Sequence, residues 1–320
     1  MLKAPQFWQT KNIWAFCLLP LGWLYGIIVA WRIKTVQPFF ASVPVICVGN
    51  LSLGGAGKTP TVIALTKILQ SLGKKPHIIS RGYGGGFSGR VLPEHDFRAV
   101  GDEPLLLAAH APCWVGKDRI ASAKSAIAAG ADILLLDDGF QNPQLHKDIA
   151  LLVVDGGVGF GNGWVFPAGM LREPVAQGIK RAQGVIVIGE AKTELSFAPD
   201  IAVLSASLKT PNSHLQSKRL LAFAGIARPQ KFYDSLQQAG AKMVAQFDFP
   251  DHHPFSASEL QMLQAQAKKL DATLITTEKD AVRLPKDLKN TIMTLPVELS
   301  FDKLNQDKLL DILREKITCP

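Results

Sequence analysis

An apolar run at residues 43–49 leads directly into Asn50-Leu51-Ser52-Leu53-Gly54-Gly55-Ala56-Gly57-Lys58-Thr59-Pro60, and a helical pattern follows over 61–72. No other stretch constrains the fold so tightly. A glycine-rich loop between a strand and a helix lets backbone N–H groups close round phosphate oxygens, and the helix N-terminus adds a favourable dipole. In that frame Ser52, Leu53, Gly54, Gly55, Ala56 and Gly57 form the cradle. Lys58 reaches the β- and γ-phosphates of a nucleoside triphosphate, and Thr59 ligates magnesium. The strict pattern wants glycine at position 52, where serine stands, and Gly54 and Gly55 crowd the loop instead.

The rest of the chain fits that start. Apolar runs at 75–80, 113–115, 133–137, 149–155, 184–188 and 201–205 alternate with helical stretches at 104–109, 119–129 and 174–182. Continuous apolar strands separated by helices predict a largely parallel sheet covered on both faces. The run at 133–137 ends in Asp137-Asp138, which sets a carboxylate at the sheet edge beside the loop, where magnesium finds hard oxygen ligands. Neighbouring residues of an extended chain point opposite ways, so one aspartate faces the metal and the other has another task. After a polar junction at 209–219 a second α/β unit begins, with strands at 220–225, 242–249, 273–277 and 292–299. A capping box at Ser256 and Glu259 starts one of its helices, and a closing helix is expected over 303–316. The expected division is therefore a front segment at 1–40, a nucleotide-binding core at 41–215 and a smaller α/β domain at 216–320.

The front segment is a different material. Of a net charge of +8, half comes from Lys3, Lys11, Arg32 and Lys34, with no acidic residue among the first 40, and four of the six tryptophans (Trp8, Trp14, Trp23, Trp31) lie there too. Residues 12–31 carry no charge; as a helix they would reach about 30 Å, the hydrocarbon thickness of a bilayer. Tryptophan and tyrosine settle at the headgroup level, and the flanking cations suit anionic lipid. A cleavable leader would show a small-residue cleavage site, and a core helix rarely needs so many headgroup-type aromatics, so membrane attachment is the reading favoured. Pro20, Gly22 and Gly26 interrupt the segment, which predicts a shallow or kinked insertion. The remaining 280 residues hold 31 basic against 27 acidic side chains, a balance that calls for no nucleic acid. Four scattered cysteines indicate neither a disulfide framework nor zinc, and fit a reducing, cytosolic compartment.

Other chemistry-bearing residues are ambiguous one by one. Asp102 and Glu103, in Gly101-Asp102-Glu103-Pro104, serve a helix start or catalysis equally well. Arg81, in the glycine-rich stretch 80–86, is a phosphate contact or part of a surface loop. Arg172 meets a phosphate or pairs with its neighbour Glu173. His252 and His253 lack further ligands at metal spacing and suit acid–base work or a turn. Thr276-Thr277-Glu278-Lys279-Asp280 concentrates charge at a strand end.

Taken in order, the motifs at 48–60, 80–84, 101–104, 137–141, 167–174, 249–253 and 276–280, behind an aromatic and basic hydrophobic segment, closely resemble the tetraacyldisaccharide 4'-kinase family of lipid A synthesis. The resemblance is colinear over nearly the whole chain, and serine at position 52 belongs to the family's own loop. It implies transfer of the ATP γ-phosphoryl group to the 4'-hydroxyl of an acylated glucosamine disaccharide 1-phosphate lipid, forming lipid IVA, with Mg2+. It places that reaction on the cytoplasmic face of the bacterial inner membrane, with no obligate protein partner. By the family's pattern Lys58 and Thr59 hold nucleotide and metal, Asp137 and Asp138 serve the metal region, and Asp102 is the general base, tuned by His252 from the second unit. Arg81, Arg172 and Glu173 become candidates for substrate binding. The rival from another class is a membrane-associated P-loop ATPase switch. Such switches often carry a lysine where this chain has Leu53, and they need neither the 137–141 nor the 249–253 motif.

Overall fold

The structure is a computed structural model and describes residues 5–317 except 193, 194, 196, 198, 199 and 211–214. Lys3, Cys319 and the middle of the 209–219 junction lie outside the described residues. The chain opens with helix α1 (Ile13–Thr35), capped by Asn12, whose side chain accepts from the Ala15 N–H at 3.1 Å. There follow β1 (Val45–Gly49), α2 (Lys58–Ser71), β2 (Pro76–Ser80), β3 (Gly89–Arg90), α3 (Phe97–Val100), α4 (Asp102–Ala108) and β4 (Cys113–Val115). Next come α5 (Arg119–Ala128), β5 (Ile133–Asp137), β6 (Ile149–Asp155), α6 (Val175–Ile179), β7 (Gly184–Ile188) and β8 (Ala202–Lys209). A second group comprises β9 (Arg219–Ala224), α7 (Pro229–Gln238), β10 (Lys242–Asp248), α8 (Ala257–Lys269), β11 (Thr273–Thr277), α9 (Glu278–Ala281), α10 (Lys286–Lys289) and β12 (Met293–Leu295). The last elements are β13 (Glu298–Phe301) and α11 (Lys303–Ile317).

Among the described residues nine strands make the large sheet, in the order β13-β8-β7-β6-β1-β5-β2-β4-β3, parallel throughout except for the two edge strands. The apolar strands bury both faces. Ile46 and Val48 join one core with Val62, Leu65 and Leu69 of α2 and Leu309, Leu313 and Ile317 of α11. Val45 and Cys47, one residue out of phase, join the other with Ala123 and Ala126 of α5 and Met170 and Leu171 of the loop before α6. Alternation along a fully buried strand thus feeds two cores at once. The second sheet, β10-β9-β11-β12, is wholly parallel and likewise has two cores, one behind Leu236 of α7 and one behind Leu263 of α8. Its α8 begins with the expected capping box at Ser256 and Glu259.

Two expectations are corrected. The strand expected over 292–299 is two strands in two sheets: β12 stays in the second unit, while β13 pairs antiparallel with β8 and α11 packs on the first sheet. The stripe Leu309, Leu313, Ile317, spaced four apart, finds its apolar partner there, so the chain leaves the first unit at 219 and returns to it at 298. The second correction concerns α1, which runs uninterrupted through Pro20. Gly22 and Gly26 are not breaks but a seat: a Cβ at Gly22 would stand 2.8 Å from the Val165 carbonyl oxygen, and one at Gly26 would touch Pro174 and Val165. Glycine lets the helix lie against that loop.

The same contact answers the core-helix alternative. Only Ala15, Gly22 and Gly26 of α1 are buried, whereas Trp14, Trp23 and Trp31 are 69, 68 and 66% exposed. A core helix would hide them. Aromatic edges lock the seat, with Phe16 on Trp164, Tyr25 on Phe166 and Trp8 on Phe166, and the Trp8 indole N–H donates to the Pro167 carbonyl at 3.0 Å.

Candidate active site

Parallel strands bring their C-terminal ends to one edge, and the chemistry gathers there. At the end of β1 the chain turns through Gly54 and Gly57, both at positive φ, and enters α2 at Lys58. Gly57 is required twice over, since its φ of 90° suits glycine and a Cβ would come within 2.5 Å of the Ile188 side chain. Lys58 and Thr59 are therefore the first two residues of the helix. The Lys58 ammonium donates to Asn50 Oδ1 at 3.2 Å and lies 3.7 Å from Asp138.

Ser52 and Leu53 behave differently from the rest of the loop. The Leu53 N–H donates to the Met170 carbonyl at 2.7 Å, the Arg172 N–H donates to the Leu51 carbonyl at 2.6 Å, and Ser52 bridges to Leu171. The Leu53 backbone donor is already used. The front of the loop is thus strapped to the segment on which α1 sits.

On β5, Asp137 pairs in register with Val48, one residue before the end of β1. Its Oδ2 accepts from the Ser80 hydroxyl at 3.2 Å, while its Oδ1 is buried without a hydrogen-bond partner. Burial and the adjacent Asp138 push this carboxyl up to about 6, against a smaller opposing pull from Lys58. A buried anionic oxygen with no partner fits a hard cation, and a site of one or two carboxylates completed by phosphate oxygens suits Mg2+. No cluster of three or more acidic, histidine or cysteine side chains able to hold a metal occurs among the described residues.

Asp138 is held differently. It sits at φ 52° and turns its carboxylate to Arg172 at 2.8 Å. Burial raises its pKa, but Lys58 and Arg172 outweigh that and hold it below the usual carboxylate range. Arg172 therefore does not pair with Glu173. The buried Glu173 takes both bonds from one Arg181 nitrogen, at 2.8 and 2.7 Å, and accepts from Gln141 at 3.0 Å. Arg81 is exposed and stands in no hydrogen bond or ion pair among the described residues.

Further along the edge, the turn after β2 packs on the residue before Asp102, since a Cβ at Gly101 would stand 3.2 Å from the Tyr83 carbonyl oxygen. Asp102 opens α4 and is buried. The second unit reaches it there. His252, held at φ 61° with its N–H on the Gly225 carbonyl, sets Nδ1 2.9 Å from Asp102 Oδ2, whereas His253 turns to Glu259 at 2.9 Å. Lys279 Nζ lies 3.2 Å from His252 Nε2 and 2.9 Å from Glu103. A lysine donor at Nε2 makes Nδ1 the proton-bearing nitrogen, so His252 donates to Asp102 through Nδ1. Arg283 adds an Nε donor to the same Asp102 oxygen at 2.7 Å. Burial raises the Asp102 pKa, but the His252 bond, the Arg283 charge and Lys279 together leave it below the usual range. A second bridge between the units joins Asp155, at the end of β6, to Arg228 and Lys231 at the start of α7.

Arg283, Arg181 and the Asp155 bridge carried no motif in the sequence. A lone arginine among Ala281, Val282 and Leu284 was the only signal for the first.

A phosphate loop on a parallel sheet, a cation-seeking carboxylate beside it and a buried carboxylate–imidazole pair on the same edge define a phosphotransferase of the P-loop class. Comparison with known proteins sharpens the class. Residues 14–318 match the family described as Tetraacyldisaccharide-1-P 4'-kinase, and the chain belongs to that family. It is similar to the tetraacyldisaccharide 4'-kinases of Paramagnetospirillum magneticum (46% identity; 94% of this chain, 95% of that protein) and Rhodospirillum centenum (47%; 97% and 96%). Its fold matches the crystal structure of LpxK from Aquifex aeolicus in complex with ATP, with TM-score 0.78 and 26% identity over 95% of this chain and 100% of that one. The protein is accordingly a kinase of lipid A biosynthesis.

Proposed function

We propose that the chain moves the γ-phosphoryl group of ATP to the 4'-hydroxyl of a tetraacylated glucosamine disaccharide 1-phosphate, at the cytoplasmic face of the inner membrane, with the roles of its residues as follows. Gly54 to Thr59 hold the triphosphate, and Lys58 swings from Asn50 and Asp138 onto the β- and γ-phosphates. Thr59 and Asp137 would hold Mg2+, with Asp138 keeping Lys58 and Arg172 in place; a magnesium ion held there would supply charge neutralisation for the transferring phosphoryl group. Asp102 takes the proton of the acceptor hydroxyl as that oxygen bonds to the γ-phosphorus and the bond to the bridging oxygen breaks to release ADP. His252 orients Asp102. Arg172 and Arg81 supply positive charge for the acceptor's or nucleotide's phosphates, and Glu173 fixes the loop that carries Arg172.

The observation that carries this reading is the pairing of Asp102 with His252. A buried base completed by the second unit, on the edge where the phosphate loop opens, suits transfer to a bound alcohol and guards against transfer to water. The unit of β9–β12 acts as the closing domain. The exposed aromatic face of α1 supplies the lipid surface, so the acceptor need not leave the bilayer. The test supplies labelled ATP and the disaccharide 1-phosphate lipid in mixed micelles. Label should appear on the glycolipid. Steady phosphate release to water, indifferent to lipid, would instead establish the ATPase switch.

A further inference from the structure

Arg283 is a charged side chain with no exposure, and its bonds divide unequally between the units. Nη1 is spent inside the second unit, on the Gly225 carbonyl at 3.2 Å, the His253 carbonyl at 3.2 Å and Asp280 at 3.0 Å. Asp280 is itself fixed by the Gly225 N–H and the Thr277 hydroxyl. Only Nε crosses to the first unit, and it reaches Asp102 Oδ2. Nη2 is buried without a partner.

A clamp built only for stability would use the fork. Arginine offers two parallel donors to a carboxylate, and the bidentate pair is the stronger one. Here Nη2 is left unpaired at a desolvation cost, and both Asp102 bonds, from Arg283 and from His252, land on Oδ2. Oδ1 is left for something else. A guanidinium cannot give up its proton, so the partner on Oδ2 is permanently cationic, unlike His252.

We propose that Arg283 is a positioning residue for phosphoryl transfer: reaching from the second unit, it holds Asp102 Oδ2 so that Oδ1 is presented, ionised, to the acceptor hydroxyl only while the two units are docked. The inference rests on reading Asp102 as the base. Besides Arg283, the charged or titratable groups around Asp102 are His252 and Asp251 from the loop after β10, Lys279 and Asp280 from α9, and Glu103 from α4 itself. Removing Arg283 subtracts one cation from that set and leaves the rest, so the Asp102 pKa rises. The acidic limb of the rate profile then moves to higher pH.

The experiment uses the full chain with ATP and the lipid acceptor in mixed micelles, and compares Arg283→Ala, Arg283→Lys and Asp102→Asn. For Arg283→Ala, kcat should fall on the order of a hundredfold. KM for ATP should stay within about threefold, the acidic limb should rise by about one pH unit or more, and millimolar guanidinium should restore part of the rate. Arg283→Lys keeps the charge and loses the geometry, so it should retain the wild-type limb with an intermediate kcat; it carries the test alone if the alanine variant does not fold. An unmoved limb in Arg283→Ala, a shifted limb in Arg283→Lys, or a kcat within about threefold of wild type in both overturns the proposal. Near-normal turnover by Asp102→Asn overturns the base reading itself, which separates the two failures.

Discussion

The two ends of the catalytic edge are built in opposite ways. The nucleotide end comes from one continuous stretch, β1, the loop and the start of α2, and its donors are largely backbone, fixed by Gly57 and by the strap from Leu53 to Met170. The end proposed to take the acceptor is assembled from distant side chains: Asp102 from the first unit, His252, Lys279 and Arg283 from the second. A backbone cradle exists whenever the first sheet is folded. A side-chain cluster shared between units exists only when they meet. The difference suggests an enzyme able to hold nucleotide before its base is in place, and four variants test it.

Lys58→Ala strikes the preformed end and should have the largest effect, a loss of transfer of about a thousandfold or more in the labelled-lipid assay, with ATP binding weakened as well. Asp102→Asn strikes the assembled end. Turnover should fall by roughly a hundredfold to ten-thousandfold while ATP affinity, measured calorimetrically, stays within a few-fold; an equal loss of ATP binding would erase the distinction between the ends.

Asp137→Asn asks what the preformed end costs the empty protein. In the fold this acid titrates near 6 against an ordinary 3.8, so the folded chain holds its proton more tightly than the unfolded chain does. Stability therefore falls as pH rises from about 4 through 6, by up to roughly 3 kcal/mol above that window. The asparagine variant should melt higher than wild type without nucleotide at pH 7.5, and lose that advantage near pH 4, while transfer collapses. No gain in Tm at pH 7.5 would show that Asp137 is not under strain. The smallest effect is expected from Gly22→Leu, which pushes a side chain into the Val165 carbonyl. Overpacking of this kind costs about 1–3 kcal/mol, and a modest rise in the KM for lipid should accompany the lower Tm.

Legibility in the sequence followed the same divide. The strands of the large sheet are continuous apolar runs because both faces are buried, and the phosphate loop is local in sequence, so both could be read directly. The edge strands β3 and β13 could not. Both are short, and the pairing of β13 with β8 is decided by where Leu309 and Leu313 find a core. Asp102 and His252 were legible only through the family resemblance, because their meeting spans 150 positions. Which histidine turns inward depends on the left-handed backbone at His252, a property of the folded loop. Arg172 was read as meeting a phosphate or pairing with its neighbour Glu173, yet it turns to Asp138 on another strand end while Glu173 pairs with Arg181 eight positions on. In α1 the helix continues through Pro20 and the two glycines that interrupt its apolar run, and packing makes the glycines a contact surface.

That surface fixes a length. A membrane anchor on a flexible tether would let its enzyme wander through a hemisphere above the lipid plane, meeting headgroups at any height. Here the helix is keyed by Gly22 and Gly26 into the segment that also bonds Leu51 and Leu53, so under the proposed membrane attachment the phosphate loop would ride at a set altitude over the bilayer. An acceptor arriving by lateral diffusion would then have only two dimensions to search, and its sugar would meet the γ-phosphate at the level where the fold holds it.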